Sequence, residues 1–228
     1  MKNGKLGLPN SRFCWINDTN RGADDLIKIV TLAPELDENF ALSRYLTLRG
    51  VKVQAGHCVG GDLSKCNGAT HLFNAMQGIN HRGVSTALSA LIKDEIYTEI
   101  IADGIHLSED ILELVFKTKP QDKIILVSDS LPLTNSNLKE MSFAGENIFY
   151  DGKKASSADG TIAGSTAILD EIVRRLALNS SEKFETYVKM ASDNLYNYHN
   201  IELNGCIYWN EDFNITAVEK DGIVLYRG

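Results

Sequence analysis

Polar and ionisable residues collect in this sequence where short β-branched runs end. His57 closes VKVQAGH, His71 lies in ATHLFNA, His106 closes EIIADGIH and Asp129 closes IILVSD. His57 and His71 fall on different predicted strands, which excludes a single-helix His-Glu-x-x-His arrangement. Two imidazoles converging from neighbouring strands suit a borderline divalent metal such as zinc, whose catalytic sites take three protein ligands and a water. The pattern offers no obvious third ligand. Asp129 suits a general base that relays a proton from an acidified water. Any one of these residues has a plainer account, a hydrogen-bonded histidine or an aspartate capping the next segment. Four together favour a site, because parallel α/β folds bind ligands beyond the carboxyl ends of their strands.

Other residues fit a polar ligand. Asn74 and Arg82 follow the His71 run, and Arg82-Gly83 makes a local anion clamp on an otherwise acidic chain. The DGIH run (103–106) sets His106 in a tight glycine-containing turn, where a backbone can approach a ligand closely. IAGS (162–165) stands at the start of a predicted helix, whose free N–H groups favour an anion or a polar substrate edge. GHCVGG (56–61) lacks both the Lys-Ser/Thr of a P-loop and the spacing of a dinucleotide fingerprint, so nucleotide binding is excluded.

Holding these residues requires alternating strands and helices. IKIVTLA (27–33) and VKVQAGH (51–57) read as strands flanking the helical NFALSRYLTLRG (39–50), with Gly50 at the C-cap. ATHLFNA (69–75), EIYTEIIADGIH (95–106) and KIILVSD (123–129) continue the strands, and SEDILELVFKTK (108–119) is a helix N-capped by Ser108. Near-continuous apolar strands between helices predict a parallel sheet buried on both faces. Only eleven residues separate His57 from Ala69, room for one or two helical turns. After Asp129 the texture changes. MSFAGENIFYDGKKASSADGTIAG reads as short antiparallel strands, followed by helices over 165–178 and 184–196. The tail from Gly205 reads as strands with an Asp221-Gly222 hairpin turn. Three segments result: a poorly specified 1–26, a β/α region 27–200 with a β-hairpin insertion near 141–160, and terminal strands 201–228.

Composition narrows the partners. With 23 basic and 30 acidic side chains and a net charge of -7, neither a nucleic-acid backbone nor an anionic membrane is expected as a partner. No apolar run approaches a membrane span or a secretory signal core, so a cytoplasmic address is expected, with the four cysteines reduced and structural. A closed eight-stranded β/α barrel takes about 250 residues. A chain of 228 residues holds one only if trimmed.

TLAPE (31–35), AGH (55–57), THLFNAM (70–76), IIADGIH (100–106), the strand ending in SDS (128–130) and DGTIAGS (159–165), in this order, resemble N-acetylglucosamine-6-phosphate deacetylase of the amidohydrolase superfamily. The resemblance runs from about residue 27 to the C-terminus. It implies an α/β fold, an incomplete (β/α) TIM-type barrel of the metal-dependent hydrolase kind with a small appended β-sandwich remnant. It also implies removal of acetate from N-acetylglucosamine 6-phosphate by metal-activated water. On this resemblance His57 and His71 are ligands of a divalent metal ion, zinc or similar, and Asp129 and His106 are catalytic. Asn74, Ala75 and Arg82 hold the sugar phosphate, while Asp103, Gly104, Ile105 and His106, with Ile162, Ala163 and Gly164, line the substrate. The partner is a small-molecule amino-sugar phosphate, and an open barrel edge favours a homo-oligomer. The family's metal-binding glutamate lies in a His-Leu-Glu-Gly-Pro type motif upstream of TLAPE, and residues 1–30 contain nothing like it. At Glu35 the family places no metal carboxylate. The alternative expectation is therefore an impaired remnant or gene fragment that keeps only sugar-phosphate or partner binding.

Overall fold

The computed structural model describes residues 27–143, 145–180 and 182–227. The poorly specified segment 1–26, with Cys14, lies outside the described residues. The chain divides into two compact units, one formed by residues up to 100 together with Val115–Ile124, the other by Ile101–Leu114 together with residues from 125 onward. The five barrel-type strands read from the sequence form one parallel sheet whose strands follow sequence order.

In the first unit β1 (Ile29–Leu32), β2 (Lys52–Ala55), β3 (Gly68–Ala69) and β4 (Tyr97–Ile100) are joined by α1 (Ala41–Leu48) and α2 (Thr86–Ile92). α1 ends as expected, with Gly50 in the left-handed region at φ 73°. The carboxylate of Asp37 accepts the N–H groups of Leu42 and Ser43 at 2.8 and 2.9 Å and so caps the helix start. Leu46 of α1 packs with Val51 and Val53, and Val30, Leu32, Leu42 and Tyr45 close over them. Fully burying one such aliphatic side chain is worth about 1.5–3 kcal/mol. Strand alternation puts these apolar residues on the helix-facing side and leaves Thr31 and Gln54, which are paired across β1 and β2, on the other. The expected apolar strands therefore carry a polar inner face. Between β2 and β3 there is only a 3-10 turn, Leu63–Lys65, in keeping with the short connection.

The predicted ATHLFNA strand is shorter than expected. β3 stops at Ala69 and His71 falls in the turn beyond it, because His71, Phe73 and Ala75 take positive φ values of 32°, 71° and 48° that no strand accommodates. The ladder persists through two further bonds, Thr70 N–H to Ala55 O at 2.9 Å and Leu72 N–H to Glu99 O at 2.7 Å. α3 (Glu109–Thr118) and β5 (Ile124–Leu126) each run across the division between the units.

The second unit contains the antiparallel sheet β6 (Glu140–Phe143), β7 (Glu146–Tyr150) and β8 (Ala155–Ser157). Ile148 and Ala155 of this sheet pack with Leu131 and Leu133 of the preceding segment in a small core. α4 spans Leu169–Asn179, starting four residues later than the predicted helix, because Ser165 and Ala167 are spent on other bonds. IAGS consequently precedes the helix instead of opening it. The predicted helix 184–196 is two helices, α5 (Phe184–Ala191) and α6 (Asp193–His199). Ser192 breaks them at φ -137°, ψ -78°, and its hydroxyl donates to Val188 O at 2.8 Å. β9 (Gly205–Trp209), β10 (Ile215–Lys220) and β11 (Ile223–Arg227) form the expected terminal sheet, in order β11-β10-β9. Asp221 and Gly222, at φ 52° and 76°, make the two-residue turn with both φ values positive that such a hairpin favours. Phe184 anchors this sheet, its ring 5.3 Å from Trp209 and 4.7 Å from Phe213.

Candidate active site

His57 and His71 occupy the turns that follow adjacent parallel strands, and their Nε2 atoms lie 2.9 Å apart. The rings meet edge-on, with centroids 4.7 Å apart and planes at 67°. His57 is exposed and His71 is buried. Both have left-handed backbones, φ 50° and 32°, a conformation that costs a non-glycine residue free energy and often marks a functional site. Two nitrogens on one tetrahedral zinc sit roughly 3.3 Å apart, so the facing Nε2 pair fits two positions of a zinc-like ion with little adjustment. Among the described residues no group of three or more His, Cys, Asp or Glu side chains is placed to hold a metal. Glu35 is engaged elsewhere, its Oε1 accepting the Val59 N–H at 2.7 Å and fixing the loop after His57. Burial raises the thiols of Cys58 and Cys66, Cys66 to about 12.

The turn after His71 is self-braced. Asn74 donates from Nδ2 to His71 O and Leu72 O, both at 3.2 Å. Ala75 and Arg82 are exposed, with the Arg82 N–H held by Asn80 Oδ1 at 3.0 Å.

In the second unit the DGIH turn is organised by one carboxylate. Asp103 Oδ1 accepts the N–H groups of Ile105 and His106, each at 2.9 Å, and Oδ2 accepts His106 Nδ1 at 2.8 Å and Ser165 Oγ at 2.9 Å. Burial opposes ionisation of Asp103. The bonds from the His106 ring and backbone, its charge and the Ile105 N–H outweigh that penalty and hold the carboxyl at about 2. An ionised partner on Nδ1 fixes the imidazole and leaves Nε2 as its working atom. Gly104, at φ 79°, lets Arg175 approach, since an added Cβ would stand 2.6 Å from its Nε. Arg175 in turn donates to Ala102 O at 3.2 Å and pairs with Glu109.

Asp129 is exposed, three residues past β5, with φ 50°. Its carbonyl accepts the Ser165 N–H at 2.9 Å, and Ser165 O accepts the Leu131 N–H at 2.9 Å. Ser165 thus ties the Asp129 segment to the Asp103–His106 turn, a role that the sequence pattern does not disclose because its partners lie far away along the chain. The motif DGTIAGS does contain it. Gly164, at φ 124°, passes so close that a Cβ would lie 3.0 Å from Asp129 O and 3.1 Å from Leu131 Cγ. Ala163 donates its N–H to Ala155 O at 3.1 Å, and Ile162 bridges to Ser156. A cavity of about 380 Å³ opens beside this turn, lined among others by Asp103, Ile105, Tyr150, Lys153 and Thr166.

No protein-family model matches the chain. N-acetylglucosamine-6-phosphate deacetylase of Bacillus subtilis is 32% identical over 211 residues, covering 89% of this chain and 53% of the relative. Among solved structures, N-acetylglucosamine-6-phosphate deacetylase of Thermotoga maritima superposes with a TM-score of 0.83 at 24% identity, over 90% of this chain and 61% of that one. A mutant of the Mycobacterium smegmatis deacetylase in complex with N-acetyl-D-glucosamine-6-phosphate superposes with a TM-score of 0.83 at 22% identity, over 92% and 60%. The structural likenesses establish the fold. The chain is a partial match to these deacetylases and spans about half the length of the curated relatives.

Proposed function

We propose that this chain carries the metal-histidine and acid–base portion of an amidohydrolase that removes acetate from N-acetylglucosamine 6-phosphate to give glucosamine 6-phosphate. The observation that carries the reading is the convergence of His57 and His71 Nε2 at 2.9 Å, on a chain whose curated relatives are such deacetylases. His57 and His71 would hold a divalent ion, zinc or similar. When bound, that ion supplies Lewis acidity toward a carbonyl and lowers the pKa of water.

The chain's own residues account for the remaining roles. His106, held at Nδ1 by the ionised Asp103 carboxylate, contacts the acetyl oxygen through Nε2 as negative charge develops there. Asp129 takes the proton from the attacking water and returns it to the sugar nitrogen, which leaves only when protonated. Arg82, with Asn74 and Ala75, holds the phosphate. Ile162, Ala163 and Gly164, with Gly104 and Ile105, line the sugar. Asp103 serves through His106, since its carboxylate is committed to the turn. Residues 27–200 are read as the partial catalytic barrel and 201–228 as the sandwich remnant, in a cytoplasmic protein.

The test is acetate release from N-acetylglucosamine 6-phosphate by the full chain supplied with Zn²⁺ or Co²⁺. Release that is lost in Asp129→Asn, and binding lost in Arg82→Ala for the phosphorylated sugar alone, support the reading. A metal-supplied protein that releases no acetate and takes up no ion overturns it.

A further inference from the structure

On the inner face of the first unit, four side chains form a directed row of hydrogen bonds. Thr70 Oγ1 donates to Gln54 Oε1 at 2.5 Å, and Gln54 Nε2 donates to Glu99 Oε1 at 2.9 Å. A hydroxyl has one proton, so with Thr70's spent on Gln54 the 2.7 Å contact between Thr31 Oγ1 and Thr70 Oγ1 must be donated by Thr31. The row therefore runs from exposed Thr31 through Thr70 and buried Gln54 to the Glu99 carboxylate, with each donor and acceptor assigned.

Its position matters more than its strength. Thr70 immediately precedes His71, and Gly56 immediately precedes His57. These two neighbours touch: a Cβ on Gly56 would lie 3.0 Å from Thr70 Cβ and 2.6 Å from Thr31 Cγ2. The next residue along, Leu72, donates its N–H to the carbonyl of Glu99, the same residue whose carboxylate receives the row. Both histidines have backbones in a region that relaxes unless the surroundings over-determine it. Glu35 and Asn74 brace the residues after the two histidines, and Thr31, Thr70 and Gln54 brace those before them.

We propose that Thr70, clamped between Thr31 and Gln54, is the positioning residue that sets the His57–His71 separation and thereby the cation affinity of the pair. The affinity part rests on the reading of His57 and His71 as metal ligands; the separation part does not. Thr70→Val keeps the shape, removes the hydroxyl and leaves Gln54 Oε1 without its donor. In long-range proton–nitrogen spectra of the metal-free full chain, it is expected to move the ring nitrogens of His57 and His71 and leave those of His81, His106 and His199 in place. Co²⁺ affinity, read from the visible absorption of the bound ion, is expected to fall about tenfold. Thr70→Ser, which restores the hydroxyl, is expected to restore both readouts. Unmoved His57 and His71 signals in a folded Thr70→Val protein overturn the proposal. Should that variant not fold, Thr31→Val removes only the outer donor, and the same two rings are expected to shift by less; unmoved rings there overturn it equally. A wild-type chain that takes up no Co²⁺ refutes the function proposed above, while the ring signals still decide the role of Thr70.

Discussion

The two histidine turns are built on opposite electrostatic plans. His57 and His71 present ring nitrogens to each other, with no carboxylate between them, from backbones in the left-handed region. His106 faces a carboxylate that accepts four hydrogen bonds. Two ring nitrogens that face each other can be bridged by one cation, whereas an imidazole held at Nδ1 by a carboxylate has a single nitrogen left to meet a ligand. The first arrangement suits a shared cation and the second an oriented ring.

Removing a member of each turn should separate these plans. His71→Ala is expected to weaken Zn²⁺ or Co²⁺ uptake by more than about 100-fold, while His106→Ala leaves uptake unchanged; equal losses in a binding titration would erase the contrast. Asp103→Asn is expected to cost about 2 kcal/mol at neutral pH by denaturant unfolding. The pH dependence follows from the same residue. Its folded value of about 2 lies below the ordinary 3.8, so its stabilisation is complete above about pH 4 and is lost as pH falls through 2. The variant's stability curve should be flatter in that window, and an unchanged acid limb would contradict the assignment. Gly164→Ala is expected to cost about 1–3 kcal/mol, because its left-handed backbone adds to the 3.0 Å approach to Asp129 O. Gly222→Ala, at φ 76° with open space around it, is expected to cost about 1 kcal/mol and to leave acetate release untouched. Thermal unfolding of the two variants side by side checks that order.

What the sequence discloses divides along physical lines. β1, α1 with its glycine cap, β2 and the Asp221-Gly222 hairpin are legible because near neighbours determine them. The truncation of β3 is not, because ATHLFNA has a strand's composition while its backbone leaves the β region at His71. The break at Ser192 hides for a similar reason: a serine fits a helix pattern until its hydroxyl takes a main-chain carbonyl. Period-two alternation in IVTL and KVQA marks Thr31 and Gln54 as one polar face, a signal that their near-continuous apolar appearance masks. The candidate histidines and aspartates are visible as residue types. Their connection through Ser165, 62 positions from Asp103, exists only in three dimensions.

The order β1-β2-β3-β4 also bears on how this chain comes off the ribosome. β2, β3 and β4 each pair with the strand made just before them, so along this run each newly synthesised strand meets a partner already made. Such a sheet can grow in the direction of synthesis, with short loop closures at each step. The His57–His71 pair then comes from two strands made in succession.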